Sequence, residues 1–468
     1  MTAPLIRLHD IEAFERWTPF ARPFRFGAVT VEGAWQAFVR LGVEVEGGAR
    51  ATGASAELMP PKWFDKRAER SAAATVADLR ASLAHAVSTG SEPRPPDTAF
   101  GLHAAHHGAQ GAWAHASDIT ALSAGFGVAL IDKAILDGLA KALGASFVEM
   151  LNGNAVGLDT RLTPDLDQAA IHRMLAGLKP HPSIAIRHTI GLNDEIDGEG
   201  GLAAELDASD LRFFKIKLSG DPAADHLRLS AIAGLIDRRG IDYQVTVDAN
   251  EQYAPADLLA LFALIEADPK LGRFIGRLLL VEQPFDRRIT FDSPLDPRLA
   301  ARTVIIDEAD DAYDAFPRAL ALGYRGVSAK SCKGLYKALL NAARVAVANA
   351  QADAAGAPFV LSAEDLTCQP GLAVQQDTAL VAALGLGHVE RNGHHYVDGF
   401  GQAPASEAEA FLAAHPDLYT RDQGRIRLAA ARGRLATSSL FGPGFASGAM
   451  PDWASLSPLA NSTEGLPS

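Results

Sequence analysis

Apolar and polar residues alternate from Val39 to Gly47 (VRLGVEVEG), the period of a strand with one face in a core. The surrounding stretch, 24–60, holds several such runs broken by glycine and predicts the antiparallel meander of a small α+β domain. Helical spacing follows in Ser71–Val87 and, more regularly, in Ala121–Leu143, where Ile131, Ile135, Leu136 and Leu139 share a face. Between these helices, 91–117 is rich in Pro, Gly and Ala and carries His103, His106, His107 and His115. With no cysteine or carboxylate beside those histidines, the segment is expected to be a solvated loop rather than a metal site.

From about residue 155 the pattern becomes a repeat of short apolar run, turn and amphipathic stretch. The runs are SIAIRHT, LRFFKIKL, YQVTVDAN, RLLLVEQP, TVIIDEAD, GVSAKS, PFVLSAED and GHVERN. Helix-like segments separate most of them: 224–239, 254–267, 334–354 and 372–384. Strands alternating with helices imply parallel strands joined by right-handed crossovers, and eight of them over about 240 residues match a (β/α)8-type barrel, regular or modified. An open doubly wound sheet is the other architecture of this class, but no glycine-rich phosphate fingerprint follows the early strands. The expected organisation is α/β: 1–150 an α+β capping domain, 151–415 the barrel, and 416–468 a C-terminal segment returning to the cap. In that last part RIRLAAARGRLATSS supplies a strand or two directed to the N-terminal domain.

The run LRFFKIKLSG places two lysines two residues apart. In an extended chain Phe213, Lys215 and Lys217 share one face, and Phe214, Ile216 and Leu218 the other. Alone, such a pair reads as a half-exposed strand with its lysines in water. The following runs argue otherwise, because a barrel site lies at the C-terminal ends of its strands. The last inward residues there are Lys217, Asp248, Glu282, Asp307 or Glu308, and Lys330, each ending an apolar run. Converging carboxylates without His or Cys suit a hard cation, Mg²⁺ best, with Mn²⁺ able to substitute. A carboxylate substrate on that cation would have its α-proton acidified. Lys217 would take the proton, with Lys215 and the metal lowering its pKa by like-charge repulsion. Lys330 would return a proton on the other face or steady the intermediate by its charge.

Composition narrows the partners. Of 468 residues 48% are hydrophobic and 21% charged, as in a globular protein with a filled core. The net charge of −13 is dispersed and argues against nucleic acid or anionic membrane as partner. Charges at Arg7, Asp10 and Glu12 interrupt any signal-peptide core, and about eighteen uncharged apolar residues never run together, so a cytoplasmic location is expected. Cys332 and Cys368 form no metal spacing and are expected to be packed thiols. The expected partner is a small carboxylate; a homo-oligomer is compatible with the sequence.

VTVDANEQY, LLLVEQPF, VIIDEAD and FKIK together with Lys330 resemble the enolase superfamily, and within it the muconate-lactonizing-enzyme subgroup with its dipeptide epimerases and N-acylamino-acid racemases. The likeness covers about 155–392 and extends more loosely to Phe126–Gly144 and the N-terminal meander, which would be the family's cap. It implies Mg²⁺ on Asp248, Glu282 and Asp307, Lys217 and Lys330 as the acid/base pair, and Lys215 as auxiliary lysine. It favours Asp307 over Glu308 as the third ligand. Asn250, on the face of Asp248, reads as a supporting group or an ordinary turn residue. Glu390 and Arg391 read as contacts to the distal end of the substrate or as rim salt bridges. The seventh run lacks a histidine and the eighth lacks D-x-D, so neither a mandelate-racemase-type dyad nor Ala-Glu specificity is implied. The implied reaction is racemisation or epimerisation, with cycloisomerisation or β-elimination on the same site, or a non-catalytic binding protein, as alternatives. Substrate selection is expected in cap loops 17–26 and 53–64, where Trp63 offers an apolar lid.

Overall fold

The computed structural model describes residues 3–26, 29–198, 200–352, 356–364, 368–430 and 432–460, with Phe26 and His394 as backbone only. Asp365 of the seventh run and the end of the C-terminal segment, 461–468, lie outside the described residues. The cap is an antiparallel sheet of β1 (Ile6–Phe26), β2 (Val29–Val45) and β3 (Arg50–Met59), covered by helices α1 (Ala72–Ser91), α2 (Ala99–Ala116) and α3 (Ala121–Leu143). Thr120 caps α3 by accepting from the Ser123 amide, and Gly144 ends it at a left-handed φ of 63°. The α3 helix is buried along nearly its whole length. Its fit against β3 depends on Gly53, where an added Cβ would stand 1.9 Å from the Ala134 carbonyl oxygen.

The barrel strands are β4 (Ser183–Ile190), β5 (Phe213–Lys217), β6 (Gln244–Asp248), β7 (Leu278–Glu282), β8 (Val304–Ile306), β9 (Gly326–Ala329), β10 (Val360–Ala363) and β11 (His388–Glu390). All eight are parallel in the order β10-β9-β8-β7-β6-β5-β4-β11, each falling within one of the eight apolar runs except that β4 extends one residue past its run, to Ile190. Register sets Lys217 beside Asp248 and Asp248 beside Glu282. Among the described residues no strand pairing joins β10 to β11, so the barrel is nearly closed. Arg187 spans that seam from β4, bonding Ala363 O at 2.8 Å and His388 Nδ1 at 2.8 Å.

The C-terminal segment divides its contacts. After the hairpin β12 (Tyr419–Asp422) and β13 (Arg425–Leu428), β14 (Arg434–Ala436) pairs antiparallel with β4, and β15 (Ser457–Pro458) pairs with β1. The strand expected to return to the cap therefore joins the barrel instead. The reason is geometric: β5 first pairs β4 at Arg187, leaving Ser183–Ala185 an open edge that β14 fills. Buried Asp137 of α3 also holds this segment, accepting from the Phe445 amide and Ser447 Oγ as well as from Ala54 of β3.

Two sequence expectations need correction. Most of 91–117 is not a solvated loop but α2, started by a Thr98 cap on the Gly101 amide. Its alanine content supports a helix, and three glycines do not break one that packs on α3. The expected cap loop 17–26 belongs to β1, and 53–59 to β3; the connection facing the barrel is 60–71.

His106 of α2 is 2% exposed and neither ring nitrogen has a hydrogen-bond partner. Burial, reinforced by the charge of Arg94, lowers its pKa from 6.5 to about 4. The unfolded chain therefore takes up the proton first: the contribution is complete above pH 6.5 and is lost as pH falls toward 4. His106→Leu is expected to flatten the decline of the melting temperature across that window. An unchanged slope in thermal melts would count against this assignment.

Candidate active site

Each barrel strand delivers one polar side chain to the mouth: Thr189, Lys217, Asp248, Glu282, Asp307, Lys330, Glu364 and Glu390, in strand order from β4 to β11, with Asp307, Lys330 and Glu364 one residue past their strands. All are buried. Lys215 lies one layer below, at the centre of the carboxylates. Its Nζ stands 2.8 Å from Asp248, 2.7 Å from Glu282, 2.7 Å from Glu364 and 2.8 Å from Glu390. Burial opposes a charge there, but these four carboxylates outweigh it and raise the Lys215 pKa well above its ordinary value. The expected repulsion between Lys215 and Lys217 is thus largely offset by anions.

The two outer lysines sit on opposite sides of the carboxylate strands. Lys217 Nζ donates to Asp248 Oδ2 at 2.7 Å, and Lys330 Nζ to Asp307 Oδ2 at 2.6 Å. Asp307 also receives Lys333 Nζ at 3.1 Å and Ser328 Oγ. Burial alone would raise the Asp307 pKa, but Lys330 and Lys333 hold it well below the carboxylate range. Lys330 is correspondingly raised: its burial is more than offset by Asp307.

Glu282 is the carboxylate left short. Its ion pair, at 2.7 Å, is with Lys215, which three other acids share, whereas Asp248 also has Lys217 and Glu364 also has Arg187; its pKa is raised well above normal by burial and by Asp248 and Glu364. An all-oxygen donor set of Asp248, Glu282 and Asp307 on adjacent strands, with a charge deficit at its middle member, fits a hard divalent cation. Among the described residues no three acidic, His or Cys side chains already converge as a cage, since Asp248 and Asp307 lean on their lysines.

Asn250 donates its amide to Asp248 Oδ1 at 2.9 Å and its side chain to Glu308 Oε1 at 3.1 Å. Glu308 lies outside the ring and pairs with Lys66 at 2.9 Å. Glu390 accepts from Lys215, Thr189 and Asn392. Arg391, 1% exposed, bonds Asp377 and Thr378 at 2.9 Å each. Cys332 and Cys368 are buried free thiols. The histidine segment contributes no member of the ring: His103 bridges Asp132 at 2.7 Å and Tyr313 at 2.6 Å.

The sequence pattern does not single out Thr189, Glu364, Arg187, Lys333 or Lys66. Glu364 was detectable, since it ends the apolar run PFVLSA as Glu282 ends LLLV. Arg187 sits mid-strand, and its pairing with Glu364 spans 177 residues.

No family model matches the chain, and no curated protein matches it. Solved structures do. It is similar to a mandelate racemase/muconate lactonizing protein from Herpetosiphon aurantiacus, at 17% identity and TM-score 0.60 over 94% of this chain and 98% of that one. A dipeptide epimerase from Methylococcus capsulatus, complexed with Mg and the dipeptide L-Arg-D-Lys, is similar at 19% identity and TM-score 0.57 over 92% and 99%. The L-Ala-D/L-Glu epimerase from Bacillus subtilis is similar at 16% identity and TM-score 0.57 over 94% and 98%. At these identities the likeness establishes a common fold. Among the described residues no helix is long and apolar enough to cross a membrane.

Proposed function

We propose, from the enolase-superfamily fold the chain shares with these proteins, that it abstracts the proton α to a carboxylate and racemises or epimerises a small carboxylic or amino-acid derivative. One observation carries the reading: Lys217 on β5 and Lys330 after β9 flank the three strands that bear Asp248, Glu282 and Asp307. A substrate carbon between them would be reached from both faces, as a 1,1-proton transfer requires. Lys217 would remove the proton at Nζ and Lys330 would deliver one from its own Nζ. Asp248 and Asp307 would orient these lysines, and Lys215 would hold the surrounding carboxylates in place. Asp248, Glu282 and Asp307 would hold Mg²⁺, which when bound supplies charge stabilisation for a developing enolate. Similar proteins crystallised with Mg and with dipeptides support this class of ligand. In this reading 1–150 caps a catalytic barrel of 151–415, and the C-terminal segment reaches both through β14 and β15.

A second outcome on the same site has its own support. The strong hold of Asp307 on the Lys330 proton suits a lysine that acts only as acid or fixed charge, as in cycloisomerisation or β-elimination. Incubation with N-acylamino acids, dipeptides, sugar acids and muconates in D₂O separates the outcomes. Racemisation places deuterium at the α-carbon of both enantiomers, whereas elimination gives an unsaturated product. No exchange in any class, despite confirmed metal binding, would refute the proposal.

Glu282→Gln is expected to weaken Mg²⁺ or Mn²⁺ binding at least about 100-fold, because it removes an anionic ligand. Calorimetric titration checks this, and an unchanged affinity would remove Glu282 from the ligand set.

A further inference from the structure

The connection between β3 and α1 reaches across from the cap to the barrel mouth. Trp63 in that connection is 4% exposed, and Lys330 Nζ lies 4.3 Å from the centre of its ring. Lys330 is therefore held on two sides, by Asp307 and by an indole face, which attracts a cation through its quadrupole. Phe64 stands edge-on to Trp63 at 4.8 Å and packs on Phe126 of α3 at 5.5 Å, so the indole is backed by the cap core.

Two cations fasten this segment to the barrel. Lys66 Nζ reaches Glu251 at 2.8 Å, Glu308 at 2.9 Å and the Asn250 carbonyl at 3.1 Å. Arg287, which follows β7, donates to the carbonyls of Phe64 at 3.0 Å and Trp63 at 3.2 Å while paired with Glu251. The clasp thus joins the loops after β6, β7 and β8, which are the loops that follow Asp248, Glu282 and Asp307. At its cap end, Lys62 Nζ binds the carbonyls of Arg67 and Arg70, which closes the segment into a compact turn.

We infer that residues 60–70 form an ion-paired clasp whose purpose is to lay Trp63 on Lys330, making Trp63 a positioning residue for that lysine and completing the site from the cap. The inference rests on the acid/base role proposed for Lys330. It adds that the barrel alone does not fix the Lys330 ammonium. Substrate would enter only when the Lys66 and Arg287 contacts release, and water would be kept from Lys330 while they hold.

The test measures acetylation of individual lysines in the resting full-length protein by brief exposure to acetic anhydride and peptide mass spectrometry. Lys133, wholly buried and paired with Glu57 in the cap, serves as the internal reference for general unfolding. Trp63→Leu and Lys66→Met are expected to raise the Lys330 rate about tenfold with Lys133 unchanged, while Trp63→Phe, which keeps an aromatic face, restores near wild-type protection. Should Trp63→Leu expose Lys133 as well, Lys66→Met decides, since Lys66 lies at the rim. The inference fails if Lys330 is unaffected in Lys66→Met or if its rise is matched at Lys133. Because labelling needs no substrate, its failure leaves the exchange reaction standing, and absence of exchange leaves the clasp standing.

Discussion

Lys217→Ala and Lys330→Ala are each expected to lower α-proton exchange by roughly 10²–10⁴-fold, the usual contribution of a positioned acid or base. The effects should differ by face. If each lysine serves one face, removing one abolishes exchange of one enantiomer's α-proton while the other enantiomer still exchanges without inverting. The geometry leads to this expectation because each lysine has its own carboxylate, Asp248 for Lys217 and Asp307 for Lys330, on opposite flanks of Glu282. Exchange of separate enantiomers in D₂O, followed by NMR, is the measurement. Full racemisation by Lys330→Ala would exclude the two-base assignment and leave Lys330 as a fixed charge or acid.

The largest stability effect is expected at Arg187. Its guanidinium is fully buried and pairs with Glu364, also fully buried, while bonding Ser362, Ala363 O and His388. Burial and the Arg187 charge lower the His388 pKa to about 3, so His388 remains neutral and can accept from Arg187. Arg187→Met would leave four carboxylates to Lys215 and Lys217 on that side of the barrel. An uncompensated buried charge of this kind costs about 3–5 kcal/mol. Chemical denaturation should show that loss, and Arg187→Met combined with Glu364→Gln should recover much of it, because the second change removes the stranded anion. A single-variant loss below about 1 kcal/mol, the range of a surface pair, would mean that water or a neighbouring group already compensates Glu364.

The barrel and most of its mouth could be read from sequence for one physical reason. In a short parallel strand the side-chain period is two, and the last inward position is where an apolar run meets the site. That rule picks out Lys217, Asp248, Glu282 and Lys330, and leaves Asp307 and Glu308 as an open pair, without knowledge of any contact. Applied equally to PFVLSAED it would have supplied Glu364. Alternation does not reveal α2, because glycine and proline punctuate that stretch and the packing that stabilises an alanine-rich helix against α3 is not visible in sequence.

Strand identity and the chemical type of most ring members were thus determined locally, by alternation and by where each run ends. Contacts between distant segments decided the rest. Lys215 proved to be the shared counter-ion of four carboxylates from β6, β7, β10 and β11, β14 filled the open edge of β4, and Trp63 came to rest on Lys330 from 267 residues away. Side-chain periodicity specifies which way a residue faces. Only closure of the barrel and docking of the cap specify what it meets there.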